Sequence, residues 1–301
     1  MPHLVPRAII WPLTHLNYHF FKKTVLILKD YSLSIMGLTL VACAPTTHTT
    51  PYAKTPPIPS SIIKLGNTPT NNSLSRQHPS NSSAWVFIEG DGTPWVLGRW
   101  PAQRPIVKKP VAYPLWQNTQ ATALYLKRPC YFDNTSLKPS DFSSVKTLPN
   151  HCTANWWTTD IYSQGVIRAL KAELENALQQ HAISHYILIG HSGGGTLAML
   201  LSDNMLHKPL LIITLAGNLK PIQFNHIHQL PKSTLTLPLL NIPQWHYFAH
   251  QDDVISYSAQ NICHIQTHVH CYNLTDTRHS DGWLMHWPAI KKKIQYFIDS
   301  Q

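Results

Sequence analysis

Apolar residues in this chain fall mainly in short unbroken runs separated by polar, Pro- and Gly-containing stretches. Trp85-Val86-Phe87-Ile88, Ala123-Leu124-Tyr125-Leu126, Tyr186-Ile187-Leu188-Ile189, Leu210 to Leu215, Gln244 to Ala249 and, with weaker alternation, His268 to Leu274 each have the length and the β-branched or aromatic content of a buried strand. Between them the period changes. Over residues 163–181, Val166, Ile167, Leu170, Leu174, Ala177 and Leu178 recur on one face at helical spacing, which predicts an amphipathic helix. Thr196-Leu197-Ala198-Met199-Leu200-Leu201 is apolar enough for a buried helix. A last helix is expected to begin near Pro288, a residue suited to a first helical position, and to bury Ile290, Ile294, Phe297 and Ile298. Continuous apolar strands alternating with helices imply an α/β architecture, a mostly parallel sheet with helices on both faces.

The pattern is different at the amino-terminal end. Arg7, Lys22, Lys23 and Lys29 stand against one acid, Asp30, and are followed by an uncharged run from Tyr31 to Ala42 that is far too short to span a bilayer. A basic region before a short apolar one is the signature of a secretory signal peptide, residues 1–42, and the length of the basic region leaves open a start downstream of Met1. Leu40-Val41-Ala42-Cys43 resembles the lipobox of bacterial lipoproteins. That resemblance implies cleavage before Cys43, a lipid on its thiol, and, with Ala44 next, sorting to the outer membrane facing the periplasm. A cleaved signal with an incidental cysteine is the plainer alternative. From Cys43 to residue 83 the chain is rich in Pro, Thr, Ser and Asn and is expected to be a flexible tether. Residues 84–301 are enough for one domain with a sizeable core.

Charge and cysteine content narrow the classes of function. The net charge is +10, from 24 Lys and Arg against 14 Asp and Glu, yet the bases are scattered, with Lys108-Lys109, Lys127-Arg128 and Lys291-Lys292-Lys293 as the only runs beyond the signal. No basic stripe interleaved with aromatics is present, so no nucleic-acid partner is expected, while anionic membrane surfaces fit the charge. Of five cysteines, four remain once Cys43 is given to lipid: Cys130, Cys152, Cys263 and Cys271. In an exported chain an even count suggests disulfides, and of the three possible pairings sequence proximity favours Cys130–Cys152 with Cys263–Cys271. None has the Cys-x-x-Cys spacing of a zinc or redox motif. His264, His268 and His270 would share one strand face but lack further ligands, so neither a metal nor a cofactor is expected.

The candidate chemistry centres on Gly190-His191-Ser192-Gly193-Gly194, a Gly-x-Ser-x-Gly pattern between a strand and a helix, the context of a nucleophile elbow. A serine needs a base, and the base an acid that holds its tautomer. In the order Ser, Asp, His, the acids between Ser192 and the last helix are Asp203, Asp252, Asp253, Asp276 and Asp281. His279, in the loop before the last helix, is favoured as base by position, with His286 as rival.

Residues 84–301 resemble the serine α/β-hydrolase superfamily and, more narrowly, a group of bacterial, often lipoprotein, α/β-hydrolases. The landmarks are Ile88-Glu89-Gly90-Asp91-Gly92 with Trp95, the strand end Tyr125 to Cys130 with Arg128-Pro129-Cys130, the elbow itself, and His279 followed by Gly282-Trp283. The resemblance implies an ester-directed serine hydrolase with a small-molecule acyl substrate and Ser192, His279 and Asp252 as triad. Asp252 falls at the family's acid position, although the flanking Gly and Pro of that pattern are Ala249 and Ser256 here. The oxyanion hole is expected from the backbone N–H groups of Gly193 and Asp91. Thioesterase, acyltransferase and peptidase chemistry would use the same parts. A non-catalytic envelope-binding scaffold is the reading from another class. The segment 218–244 leaves room for a small lid.

Overall fold

In the computed structural model, residues 62–64, 83–103, 105–131, 152–255, 263 and 267–301 are described. The proposed signal peptide and Cys43 lie outside them, as does most of the expected tether. The strands are β1 (Ile62–Lys64), β2 (Ser83–Ile88), β3 (Trp95–Val96), β4 (Trp100–Pro101), β5 (Ala123–Leu126), β6 (His185–His191), β7 (Leu211–Leu215), β8 (Gln244–Ala249) and β9 (Val269–Leu274). The helices are α1 (Ala112–Gln117), α2 (Gln164–Gln180), α3 (Gly193–Asn204), α4 (Pro221–Ile227) and α5 (Trp283–Asp299), and a 3₁₀ turn covers Ala154–Trp157. Seven strands form one sheet in the order β1-β5-β2-β6-β7-β8-β9, parallel except for β1, while β3 and β4 form a separate hairpin.

The period-2 alternation of each buried strand divides the core in two. Leu124, Val86, Leu188 and Ile212 are in register across four strands and face the side covered by α2 and α3. The neighbouring row, Tyr125, Phe87, Ile189, Ile213 and Trp245, faces α1 and α5. Both faces are dry, which is why these strands read as unbroken apolar runs rather than as half-polar ones. Helix α2 buries Val166, Ile167, Leu170, Leu174, Ala177 and Leu178, and Ser163 caps it by accepting from the Val166 N–H at 3.4 Å.

Two expectations are corrected. The stretch 43–83 is not tether throughout, because Ile62–Lys64 pairs antiparallel with Tyr125 to Ala123 at the sheet margin. A short β-branched segment suffices there, since β5 would otherwise present an unpaired edge. The last helix begins at Trp283 rather than near Pro288, which sits inside it at the sixth position. The start is set by Gly282, with φ of 89°, where a Cβ would lie 2.6 Å from the Asp276 carbonyl oxygen. Pro288 therefore forfeits one helical hydrogen bond. Burial of Trp283, Trp287, Ile290 and Ile294 along the same helix outweighs that loss.

Candidate active site

Parallel strands bring their carboxyl ends to one side of the sheet, and every candidate residue there sits just past a strand end. Ser192 follows β6 directly and opens α3, with φ of 51° and ψ of −122°. A non-glycine residue in that conformation is strained, and the surrounding contacts hold it. Its N–H donates to the Leu215 carbonyl at 2.9 Å, and its carbonyl accepts from Gly195 and Asn218 at 2.9 and 3.0 Å. The turn is tight enough that a side chain on Gly194 would run into the backbone carbonyls of Ile88 and Glu89.

His279 stands in the loop between β9 and α5. Its Nε2 lies 3.1 Å from Ser192 Oγ, and its Nδ1 lies 3.1 and 3.0 Å from the two carboxylate oxygens of Asp252. A carboxylate can only accept, so Nδ1 carries the proton and Nε2 is left to accept from the serine hydroxyl. Asp252 Oδ1 also accepts from the Val254 and Ile255 N–H groups, both at 2.8 Å. Burial pushes the Asp252 pKa up, but the bond and the charge of the His279 ring, with the two N–H donors, outweigh it and hold the group below its ordinary value. Asp253 is exposed, and His286 donates from an exposed position to the Thr275 carbonyl at 3.0 Å, so neither joins the cluster. Asp281 pairs with Lys109 at the surface.

Two supports of His279 were not foreseen. His191, the second residue of the elbow, uses Nε2 to donate to the His279 carbonyl at 2.8 Å. The Trp283 indole N–H donates to the same carbonyl at 3.0 Å and to that of Arg278 at 3.1 Å. The Gly-Trp landmark was the available signal for the second. Behind His191, the Glu89 carboxylate is buried and accepts from the N–H groups of Gly90, Val111, Ala112 and Tyr113 at 3.0 to 3.2 Å, which anchors the start of α1. Burial pushes Glu89 up, and the nearby His191 ring together with the backbone donors brings it below its ordinary value.

The turn after β2 lies against the nucleophile. A Cβ built on Gly90 would sit 3.2 Å from Ser192 Cβ, and one on Gly193 would collide with the Asp91 carboxylate. Among the described residues none accepts from the N–H of Asp91 or of Gly193. The Asp91 carboxylate is engaged by Arg128 Nη1 and by the Tyr162 hydroxyl, and its carbonyl accepts from the Tyr131 hydroxyl at 3.2 Å. Cys130 is bonded to Cys152 and Cys263 to Cys271, with Cα separations of 5.5 and 5.8 Å.

In front of Ser192 and His279 lies a cavity of about 910 Å³ bordered by Trp95, Ile161, Tyr162, Phe224, Leu235 and Val254. A second, largely apolar cavity of about 550 Å³, bordered by Met199, Leu219, Ile222 and Leu237, shares Leu235 and Thr236 with it. The segment between β7 and β8 thus contributes to both, with α4 as its one described helix. No group of three His, Cys, Asp or Glu that could hold a metal occurs among the described residues; His264 lies outside them, and His268 Nε2 is paired to the Leu240 carbonyl at 2.8 Å.

The parallel sheet with its single antiparallel margin, the strand-turn-helix carrying Ser192 and the later Asp and His loops together make an α/β-hydrolase fold. No family model matches the chain, and no curated protein does. Solved structures of similar fold include an α/β serine hydrolase homologue from Coxiella burnetii, 12% identical, covering 80% of this chain and 90% of that one with a TM-score of 0.45. Est1E from Butyrivibrio proteoclasticus is 12% identical over 79% of this chain and 94% of its own, with a TM-score of 0.49. An esterase from Pyrococcus furiosus is 10% identical over 74% and 82%, with a TM-score of 0.47.

Proposed function

We propose that this chain is a serine hydrolase that cleaves an ester or thioester acyl bond through an acyl-enzyme. The observation that carries the reading is the unbroken line from Ser192 Oγ through both ring nitrogens of His279 to Asp252, in hydrogen-bond steps of 3.0 to 3.1 Å. Ser192 Oγ attacks the acyl carbon while its proton passes to His279 Nε2, and Asp252 stabilises the imidazolium. The carbonyl oxygen becomes an oxyanion opposite the N–H groups of Gly193 and Asp91. Collapse expels the alcohol or thiol, which takes the proton from Nε2. Water then adds to the acyl-enzyme with His279 as base, releasing the acid and restoring Ser192. The largely apolar second cavity, which meets the one before Ser192 at Leu235 and Thr236, suits an acyl chain. No cofactor or metal enters this scheme.

The lipobox resemblance at Leu40 to Cys43 adds the second part of the proposal, a lipid anchor in the bacterial envelope. Turnover of p-nitrophenyl butyrate, abolished in Ser192→Ala while the fold melts unchanged, is the expected result. A wild-type protein that neither turns over esters nor labels at Ser192 with a fluorophosphonate would instead be the envelope-binding scaffold. Labelled palmitate supplied to a bacterial host should appear on the full chain and disappear in Cys43→Ser; unlabelled wild type would sink the anchor.

A further inference from the structure

Of the sequence landmarks, the strand end Tyr125 to Cys130 has no part in the triad. It runs beside the landmark Ile88 to Gly92 that contains Asp91, because β5 pairs in parallel with β2 and sets Leu126 opposite Ile88. Arg128, two residues further on, reaches across to the Asp91 carboxylate, with a side chain only 2% exposed. Tyr162 donates to the other carboxylate oxygen from the loop before α2, and Tyr131 donates to the Asp91 carbonyl. Every acceptor of Asp91 is thereby engaged from a different direction, and the N–H is the polar group left over.

We propose that Arg128, Tyr131 and Tyr162 are positioning residues that fix the Asp91 N–H in the oxyanion hole and neutralise its carboxylate beside the forming oxyanion. This rests on the hydrolase reading given above. Three observations carry it. First, the arrangement is poor as a device for stability alone. Arg128 buries its Nε and Nη2 with no hydrogen-bond partner among the described residues, and buried ion pairs of this kind are commonly matched or bettered by apolar packing. Second, the carboxylate sits where a side chain on Gly193 would go, so it locks the two expected oxyanion donors against each other. An unpaired carboxylate at ~5 Å from a developing negative charge would slow the reaction by roughly two powers of ten at an effective dielectric of ~20. The guanidinium removes that penalty. Third, the supports hold each other. The Arg128 guanidinium lies 4.6 Å from the Tyr131 ring centroid, and the intervening Cys130 is bonded to Cys152. Burial pushes the Tyr131 and Tyr162 phenols well up, so both remain donors at any working pH.

The test compares Tyr131→Phe, Tyr162→Phe, Arg128→Met and the double variant Arg128→Met/Asp91→Asn with wild type, using p-nitrophenyl butyrate and phenylboronic acid. Tyr131→Phe and Tyr162→Phe should each lower kcat about tenfold with KM and melting temperature unchanged, and weaken boronate inhibition, which requires a tetrahedral anion on Ser192, by the same factor. Arg128→Met should lower kcat about a hundredfold, and the double variant should recover part of it because no charge remains to be neutralised. Tyrosine variants with wild-type kcat, or with lowered kcat but unchanged boronate affinity, overturn the proposal even if Arg128→Met fails to fold. A wild type inactive on esters overturns the hydrolase reading and this one with it.

Discussion

Two aspartates border the elbow, one bonded to His279 and one lying against Gly193, and they are held on opposite plans. Asp252 is held by the chain that follows it: its carboxylate accepts from the N–H groups two and three residues on and still has an oxygen for His279. Asp91 is held from afar, by side chains 37, 40 and 71 residues away in sequence. In the first loop the side chain is aimed at the chemistry and the backbone is the scaffold. In the second, on the proposed mechanism, the side chain is the scaffold and the backbone N–H serves the oxyanion. A carboxylate beside an oxyanion site is tolerable only when its charge is spent elsewhere, and a carboxylate beside an imidazole is useful only when it is not.

The contrast can be broken most directly at Asp252. Asp252→Asn should fold and lose on the order of 10⁴ in turnover, the magnitude of the corresponding change in serine proteases, measured as kcat beside an unchanged circular dichroism spectrum. Retained activity would mean that the side chain of this loop is not the working part.

The disulfides offer a second handle. Replacing Cys130 and Cys152 by Ser, or Cys263 and Cys271 by Ser, should cost about 2–4 kcal/mol of stability in either case, read from denaturant unfolding. Only the first pair adjoins the Arg128–Tyr131 support, so only its loss should also lower kcat, by about tenfold. Equal kcat in the two double variants would count against long-range support of Asp91.

Acid should reveal a third, chemically idle group. His246 is wholly buried between Thr214 Oγ1 at 2.8 Å and Gln244 Oε1 at 3.2 Å, and burial pushes its pKa from 6.5 down to about 4. Because the unfolded chain binds this proton first, the contribution is complete above pH 6.5 and declines as the pH falls toward 4, by about 3 kcal/mol in all. Asp252 and Glu89, whose pKa values are lowered, hold their contribution until the pH drops below the ordinary carboxylate range. Unfolding free energies at pH 7 and 4.5 should therefore differ less in His246→Asn than in wild type. An equal slope would place the acid sensitivity elsewhere.

The smallest expected effect is at the exposed neighbour. Asp253→Asn should leave kcat and the unfolding midpoint within experimental scatter, since surface changes of this kind typically stay within about 0.5 kcal/mol. A collapse of activity here, with Asp252→Asn active, would reverse the assignment of the two residues.

What could be read along the chain was what neighbours in sequence decide. The strand runs, the amphipathic face of α2 and the glycine-flanked Ser192 are visible because periodicity and steric need act over a few residues. The start of the last helix was misplaced for the same reason in reverse. Pro288 carries a strong local preference, but the left-handed Gly282 and the tertiary burial of Trp283 and Trp287 set the boundary. The strand at Ile62–Lys64 escaped notice inside a polar tether because it exists only by virtue of β5. The Gly-Trp landmark marked Trp283, but nothing along the chain showed that His191 and Trp283 would hold one carbonyl of His279 together. The sequence by itself determined an α/β alternation, a nucleophile turn and the order in which acid and base follow it. The resemblance to the hydrolases already pointed to Asp252 as the acid, but that Arg128 belongs to Asp91 was decided only by the tertiary structure, because parallel pairing of β2 with β5 juxtaposes strand ends that no local signal connects.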